Sequence, residues 1–183
     1  MMIDAIPKSS VQTSTKTSDP EPPAAMSELN NVVVSQASAD LPVSSRMAYF
    51  AWSDFSRHQE WTPNIISVDY IDASRHEARW TMESYGLRFG WSTVPIRKEP
   101  TKLLVWKSVK GVRLEGRVEF EHVDENHCRI LYTLCYVSPR KTLKHDLGPS
   151  MRESIYLKQT LENFGEIVRN EGRARIDTTK SSR

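Results

Sequence analysis

The run of residues 151–170 constrains the fold more than any other stretch of the chain. At the helical period its apolar residues fall on one side and its charged residues on the other. The capping-box spacing of Ser150 and Glu153 predicts the start of this helix, and Gly172 predicts its end. A helix of that length spans about 30 Å, so its apolar face requires a partner as broad as a β-sheet. That face comprises Tyr156, Leu157, Thr160, Leu161, Phe164, Ile167 and Val168.

Segments rich in β-branched and aromatic residues precede this helix and are separated by short turn sequences. We expect a first strand at 31–39 and six further strands at 65–71, 77–84, 87–96, 103–109, 116–123 and 128–137. No helical period lies between the last six. Short connections between consecutive strands predict antiparallel neighbours.

Two short helical segments are expected between the first strand and the others. Pro42 in a first turn predicts a helix over 42–51, with Val43, Met47 and Phe50 as its buried stripe. Asp54 then leads a second helical turn. The order of elements predicts an α+β fold in which an antiparallel sheet of about seven strands curls around the C-terminal helix.

The composition predicts one domain between two tails. Residues 1–30 are rich in Ser, Thr and Pro and lack a hydrophobic period, which is typical of a disordered tail. Both a plastid transit segment and a plain linker fit this tail. We assign residues 31–172 to the folded domain and residues 173–183 to a polar tail. No apolar run is close to the length of about 18 residues that a membrane-spanning helix needs.

Charge and cysteine content exclude several classes of protein. The formal net charge is +2, and no dense basic stripe with interleaved aromatics is present, so nucleic-acid binding is not expected. Cys128 and Cys135 fall in one predicted strand. Seven residues place them roughly 23 Å apart on opposite faces, too far for a disulfide or a shared metal. Free thiols fit a reducing compartment, with plastid and cytoplasm both open.

The sequence contains no recognisable catalytic, metal or cofactor motif. The five histidines do not stand at metal-ligand spacing, and no phosphate-cradling glycine run occurs. Asp54 fits two roles: a general acid in an apolar cavity, or the cap of the turn that follows it. His122 fits either the mouth of a cavity or the surface. We expect no metal and no cofactor.

Four segments carry a resemblance to a known family: WSDFSRHQEWTPNIISVDYID, EARWTMESYGLRFGWS, LLVWKSVKG and GRVEFEHVDENHCRILYTLCYVSP. They resemble the polyketide cyclase/dehydrase-like branch of the START and birch-allergen (SRPBCC) superfamily, and are similar to cyanobacterial and plastid members. The likeness spans residues 32–168. Its most specific elements are Trp52-Ser53-Asp54 with Trp61, and the strand of Gly116, Val118 and Phe120 followed by Tyr136 and Pro139.

The resemblance implies a helix-grip fold with an apolar cavity between the long helix and the concave face of the sheet. Relatives bind lipids, sterols, polyketides, quinones or hormones there, and some of them are enzymes. Strand alternation places Trp80, Val118 and Phe120 inside, whereas the two faces of strand 128–137 cannot be distinguished. Each aromatic candidate is either a ligand wall or a core residue. The candidate ligand-binding residues are Trp80, Trp91, Trp106, Val118, Phe120, Tyr132, Leu157, Leu161 and Phe164.

These observations favour binding or transport of a hydrophobic small molecule. One alternative is a polyketide cyclase or dehydratase, which requires a buried protonatable group such as Asp54, His122 or Tyr132. Another is a structural or assembly partner, with the cavity filled by side chains and a protein bound elsewhere. A basic cluster of Arg140, Lys141 and Lys144 suggests contact with an anionic membrane surface, and a solvated loop is the simpler interpretation.

Overall fold

The computed structural model describes Pro23, Met26 and residues 31–84, 86–137 and 149–181, with the backbone alone at 84, 149–154 and 175–181. Nearly all of the expected tail 1–30 lies outside these residues. The elements in chain order are β1 (Val32–Leu41), α1 (Ser45–Ser53), a 3₁₀ helix (Phe55–Glu60), β2 (Ile65–Tyr70), β3 (Ala78–Ser84), β4 (Leu87–Glu99), β5 (Leu103–Lys110), β6 (Leu114–Asp124), β7 (His127–Val137) and α2 (Pro149–Ser181).

The seven strands form one antiparallel sheet in the order β1-β7-β6-β5-β4-β3-β2. Consecutive strands from β2 to β7 are neighbours, and β1 closes the far edge beside β7. This arrangement confirms the predicted α+β helix-grip fold, with the expected strands displaced at their ends by a few residues at most. The long helix α2 packs against β1 and lies over the concave face of the sheet.

The predicted ends of α2 were wrong. The helix begins at Pro149, so Ser150 lies inside it, and it continues through Gly172 to Ser181. A glycine inside a helix costs about 1 kcal/mol relative to alanine, which is too little to end a helix that is held by packing. An added Cβ at Gly172 would meet Val43 and Met47 at 3.6 Å or more, so this glycine faces α1 in ordinary contact.

The buried side of α2 is the side predicted from its period. Leu157, Leu161, Phe164 and Val168 are completely buried, and Thr160 is 1% exposed. Tyr156 and Ile167 pack at the margin of this stripe. Burial of a Leu or Phe side chain contributes about 1.5–3 kcal/mol, so the stripe is the main attachment of α2 to the sheet.

One member of the buried stripe expected for α1 was wrong. Val43, just before the helix, is buried and Met47 packs against the core, but Phe50 is 56% exposed and Trp52 is buried instead. The ring of Trp52 packs edge-on against Phe164 of α2, with centroids 4.8 Å apart. Burial of the Trp52 indole removes more apolar surface from water than burial of Phe50 would, and this difference sets the rotation of α1.

His58 lies at the centre of the aromatic core. Its ring centroid is 5.0–5.5 Å from those of Trp52, Phe55, Trp61 and Trp80. The Nε2 atom lies 2.8 Å from the carbonyl oxygen of Trp52, so Nε2 carries the proton and donates it. Burial lowers the pKa of His58 to about 4, which keeps the ring neutral at physiological pH.

Trp106 lies directly over Gly116 on the neighbouring strand β6. An added Cβ on Gly116 would lie 2.1 Å from Cζ2 of Trp106 and 2.2 Å from Cε2. The Trp106 ring also contacts Phe55 and Tyr132, at centroid distances of 5.7 and 6.0 Å. The missing side chain at Gly116 is therefore what allows this indole to lie flat on the sheet.

Protonation of His58 is expected to destabilise the fold in mild acid. The pKa of His58 in the folded chain is below the usual 6.5, so the unfolded chain takes up the proton first as pH falls. The free energy of unfolding thus contains a contribution that is complete above pH 6.5 and is lost towards pH 4, about 3 kcal/mol in all. His58→Phe should flatten the pH dependence of urea unfolding in this window.

The exposed His122 supplies the control, since His122→Gln leaves the buried ring in place. An unfolding free energy that depends on pH as steeply in His58→Phe as in the wild type would contradict this account.

A side chain at position 116 is expected to displace the Trp106 ring. We expect Gly116→Ala to lower the free energy of unfolding by about 1–3 kcal/mol, because the indole must leave a well-packed site. Gly90→Ala is the matched control, since its Cβ would meet only the carbonyl oxygen of Trp80, at 3.7 Å. Urea denaturation of both variants tests the prediction, and equal midpoints would refute it.

Candidate functional site

The groove between α2 and the concave face of the sheet is closed at one end. Helix α1 lies over the Phe120 end of β6, where the rings of Tyr49 and Phe120 are 5.5 Å apart. The 3₁₀ helix fills the centre of the groove with Phe55, which contacts Trp80 and Trp106 at 5.6 and 5.7 Å. A ligand that reaches the groove must therefore enter from the opposite end.

Most of the predicted ligand-binding residues lie in the closed part of the groove. They belong to one continuous hydrophobic core together with Trp52, Phe55 and Trp61. The rings of Trp106 and Tyr132 are 6.0 Å apart and Tyr132 also contacts Trp52, at separations typical of packed aromatic cores. A role for them in ligand binding stays a prediction. The members at most 7% exposed are Trp80, Trp106, Val118, Phe120, Tyr132, Leu157, Leu161 and Phe164.

The ninth predicted residue, Trp91, lies at the open end of the groove. Its ring is half-buried and stacks on Trp80, with centroids 6.1 Å apart and planes 7° from parallel. Beyond it on the same face of the β3–β4 hairpin, Met82 is opposite Phe89. Phe89 is 41% exposed, so the apolar surface of the core continues outward along this hairpin into solvent.

The other side of the open end is formed by β6, β7 and α2. Leu114 and Leu134 are half-buried and face the groove, since they share strand parity with Val118 and Tyr132. The hydroxyl of Tyr156 donates to the carbonyl oxygen of Pro63 at 3.0 Å, which fixes α2 beside the start of β2. We define the apolar rim as Met82, Phe89, Trp91, Leu114, Leu134 and Tyr156.

Some buried N–H groups in the closed part of the groove have a hydrogen-bond acceptor within the described residues and others do not. The indole Nε1 of Trp80 donates to Oγ1 of the buried Thr93 at 2.7 Å. The indole Nε1 atoms of Trp52 and Trp61 are buried without a hydrogen-bond partner among the described residues. Each buried unpartnered donor costs about 1–3 kcal/mol, so the core holds two N–H groups with unused capacity for an acceptor.

Asp54 caps the 3₁₀ helix, which is one of the two roles predicted for it. Its carboxylate accepts from the backbone N–H and the hydroxyl of Ser56, and pairs with Arg75 at 2.6 Å. Partial burial acts to raise the pKa of Asp54, but these hydrogen bonds and the Arg75 charge outweigh it and hold the pKa below its usual value. A carboxylate stabilised in this way is a poor general acid.

The remaining candidates for acid-base chemistry lie away from the apolar rim. His122 is exposed and stands eight residues from Leu114 along β6, a separation of roughly 26 Å. Cys128 and Cys135 are free and buried, and burial raises their pKa values to about 12 and about 11. Both thiols are therefore protonated and unreactive at neutral pH.

Within the described residues, no three His, Cys, Asp or Glu side chains converge closely enough to bind a metal ion, and no helix is long and apolar enough to cross a bilayer. Arg140, Lys141 and Lys144, the predicted membrane contact, lie outside the described residues.

Five of the six rim residues are absent from the predicted ligand-binding set. Met82, Phe89 and Leu114 share strand parity with predicted lining residues, and this alternation could have identified them. Their partial exposure could not be read from alternation, because it depends on where α1 and α2 end above the sheet. His58 was also missed, since its four aromatic neighbours come from three different elements.

Several solved structures share this fold. The ZhuI aromatase/cyclase from Streptomyces sp. R1128 is 11% identical with a TM-score of 0.59, covering 79% of this chain and 96% of that one. A START superfamily protein from Mycobacterium smegmatis is 16% identical with a TM-score of 0.56, covering 76% and 95%. A protein from Deinococcus radiodurans is 19% identical with a TM-score of 0.57, covering 73% and 95%. At these identities the likeness concerns the fold.

Sequence comparison identifies the family. No curated protein sequence matches the chain at a significant level. The sequence model described as "Polyketide cyclase / dehydrase and lipid transport" matches residues 41–155, a range that runs from the end of β1 to the first turns of α2. That match covers more than half of the chain and includes α1, the 3₁₀ helix and β2 to β7, with five of the six rim residues. The chain therefore belongs to the polyketide cyclase/dehydrase and lipid transport family.

Proposed function

We propose that this protein binds a hydrophobic small molecule at the apolar rim, between the concave face of the sheet and α2. The observation that carries the proposal is the continuity of the rim with the core. Trp91 stacks on the buried Trp80 while its outer side remains half-exposed, so a flat apolar molecule can extend the stack. The description of the family, which includes lipid transport, supports the same conclusion.

Burial of apolar surface would supply most of the affinity. Removal of apolar surface from water contributes about 25 cal/mol per Å², and the rim presents aromatic and aliphatic side chains from four strands and α2. Phe89 is 41% exposed at its outer edge. A ligand that covers Phe89 and Trp91 would therefore gain from surfaces that the protein leaves in contact with water.

Binding is favoured over catalysis by the chemistry of the rim. The six side chains that form it are aliphatic or aromatic, and the one hydroxyl among them, on Tyr156, donates to Pro63. Of the groups proposed for a cyclase, Asp54 is paired with Arg75 and His122 lies at the other end of β6. Tyr132 is 7% exposed within the core. The geometry therefore supports a carrier or sensor of an apolar ligand.

Truncation of Phe89 is expected to weaken binding of an apolar probe. The neutral dye Nile red should bind the wild type saturably, and Phe89→Ala should raise its Kd by about tenfold, which corresponds to about 1.4 kcal/mol of lost apolar contact. Fluorescence titration of the dye provides the measurement. Because Phe89 is partly exposed, the variant should retain the stability of the wild type.

Ile96→Ala is the control, since Ile96 is 48% exposed on β4 but lies away from the rim, near the β4–β5 turn. Its Kd for Nile red should equal that of the wild type. Absence of saturable binding, or a loss of affinity in Ile96→Ala that exceeds the loss in Phe89→Ala, would overturn the assignment of the rim.

Contact with an anionic membrane surface through Arg140, Lys141 and Lys144 forms a second part of the proposal. These residues belong to the segment 138–148, which joins the end of β7 at Val137 to the start of α2 at Pro149. The end of β7 lies on the rim side of the groove, since Tyr136 is opposite Leu114, and Tyr156 in the early part of α2 belongs to the rim. A basic segment that starts and finishes there would favour approach of the rim to anionic lipid.

Charge reversal tests the membrane contact. Each basic residue near an anionic surface contributes about 1 kcal/mol, so Lys141→Glu with Lys144→Glu should reduce binding to phosphatidylserine vesicles by more than tenfold. Lys98→Glu with Lys102→Glu is the control, because these exposed lysines lie at the opposite end of the sheet. Vesicle sedimentation that shows equal losses for the two double variants would refute the contact.

A further inference from the structure

We propose a second binding site, at the closed end of the fold, for a small molecule that carries a carboxylate or phosphate next to an aromatic or alkyl body. The site is a half-open cleft of about 400 Å³ between α1, the 3₁₀ helix and α2. This volume falls within the range of small-molecule sites. The cleft lies on the outer side of α1, away from the apolar rim, so the inference does not rest on the proposed function.

The two carboxylates that line the cleft each accept a hydrogen bond from a guanidinium group. The guanidinium of Arg57 donates to both oxygens of Glu60 at 2.9 and 2.8 Å, and to Glu171 of α2 at 2.5 Å. Asp54 is paired with Arg75. The two acidic groups that line the cleft are therefore each held by a cation, which reduces their repulsion of an incoming anion.

Arg46 supplies a guanidinium group that no carboxylate of the described residues holds. Within the part of the chain that the structure describes, no carboxylate forms an ion pair with it, and its guanidinium carbon lies 5.8 Å from the centroid of Phe50. The Nη1 atom of Arg57, also in the cleft, has no hydrogen-bond partner among the same residues. Two guanidinium groups with unused N–H donors thus face one cleft, and such donors bind carboxylate and phosphate oxygens.

The apolar part of the cleft is supplied by α1. Phe50 is 56% exposed on α1, four residues after Arg46 and therefore on the same face of that helix. Met47 is half-buried beside it and lies close to Gly172 of α2. An anion held by Arg46 would place its attached ring or chain over Phe50 and Met47. This pairing selects aromatic or short-chain acids and phosphate monoesters over inorganic anions.

The experiment uses the full-length protein, with 3-phenylpropionate and phenyl phosphate as anionic probes and 3-phenylpropan-1-ol as the neutral analogue. In ¹H–¹⁵N NMR titrations, both anions should shift the amide signals of α1 and Gly172 saturably at millimolar concentration. The neutral alcohol should bind about tenfold more weakly, because it lacks the charge-assisted hydrogen bonds. Affinity for only one of the two anions would identify the head group as carboxylate or phosphate.

Amino-acid substitutions distinguish binding in the cleft from nonspecific attraction of anions to basic side chains. Arg46→Gln should weaken both anions by about tenfold and leave the neutral alcohol unchanged, whereas Phe50→Ala should weaken all three probes. Arg88→Gln, at the rim end of the sheet, should have no effect, and the dispersion of the NMR spectra reports that each variant is folded. Shifts spread over exposed arginines in general, unchanged affinity in Arg46→Gln, or no saturable shift at α1 would each overturn the proposal.

Discussion

The contact between the apolar stripe of α2 and the ring of Trp52 holds the two layers of the molecule together. Phe164 packs edge-on against both Trp52 and Trp61, with centroids 4.8 and 5.0 Å away. Asn163 donates to the carbonyl oxygen of Trp61, and Glu171 pairs with Arg57. These contacts join α2 to the segment between β1 and β2. Through that segment they also fix the position of His58 and Phe55 over the sheet.

This arrangement makes the two ends of the groove chemically different. At the closed end, α1 and the 3₁₀ helix fill the concave face with rings, and the charged groups on their outer side pair with one another. At the rim, the same sheet continues past the helices that cover it, and its inward-facing side chains meet solvent. The fold therefore leaves an apolar surface accessible at the rim. Exposure of this surface lowers the stability of the fold, and the packing at the closed end compensates for that loss.

The layout of the domain could be predicted from the sequence because each element has a strong local pattern. The period of α2 identified Leu157, Leu161 and Phe164 as buried, and strand alternation placed Trp80, Val118 and Phe120 inside. The rotation of α1 could not be predicted from its period, since two stripes of this helix are apolar. The choice between Phe50 and Trp52 depended on a partner, Phe164, more than a hundred residues away.

The candidate site was only partly predictable for the same reason. Trp91 was among the predicted residues and lies at the rim, but alternation gives the face of a residue and not the depth of cover above it. Gly172 was predicted to end α2 because glycine has a weak preference for the helical conformation. The helix continues past it because this part of α2 packs close to Val43 and Met47. Residues whose environment is set within one strand or one turn were predicted well. Those whose environment is set by contacts between elements were not.

The distribution of tryptophans has a practical consequence. All five indoles of the chain lie on or next to the path from the rim to the closed end, and Trp91, Trp80 and Trp106 are linked to the rest through rings at about van der Waals separation. Excitation energy absorbed by any of them can pass along this series. The tryptophan fluorescence of the chain is therefore an intrinsic reporter. The emission of the whole series would change if a ligand bound at Trp91.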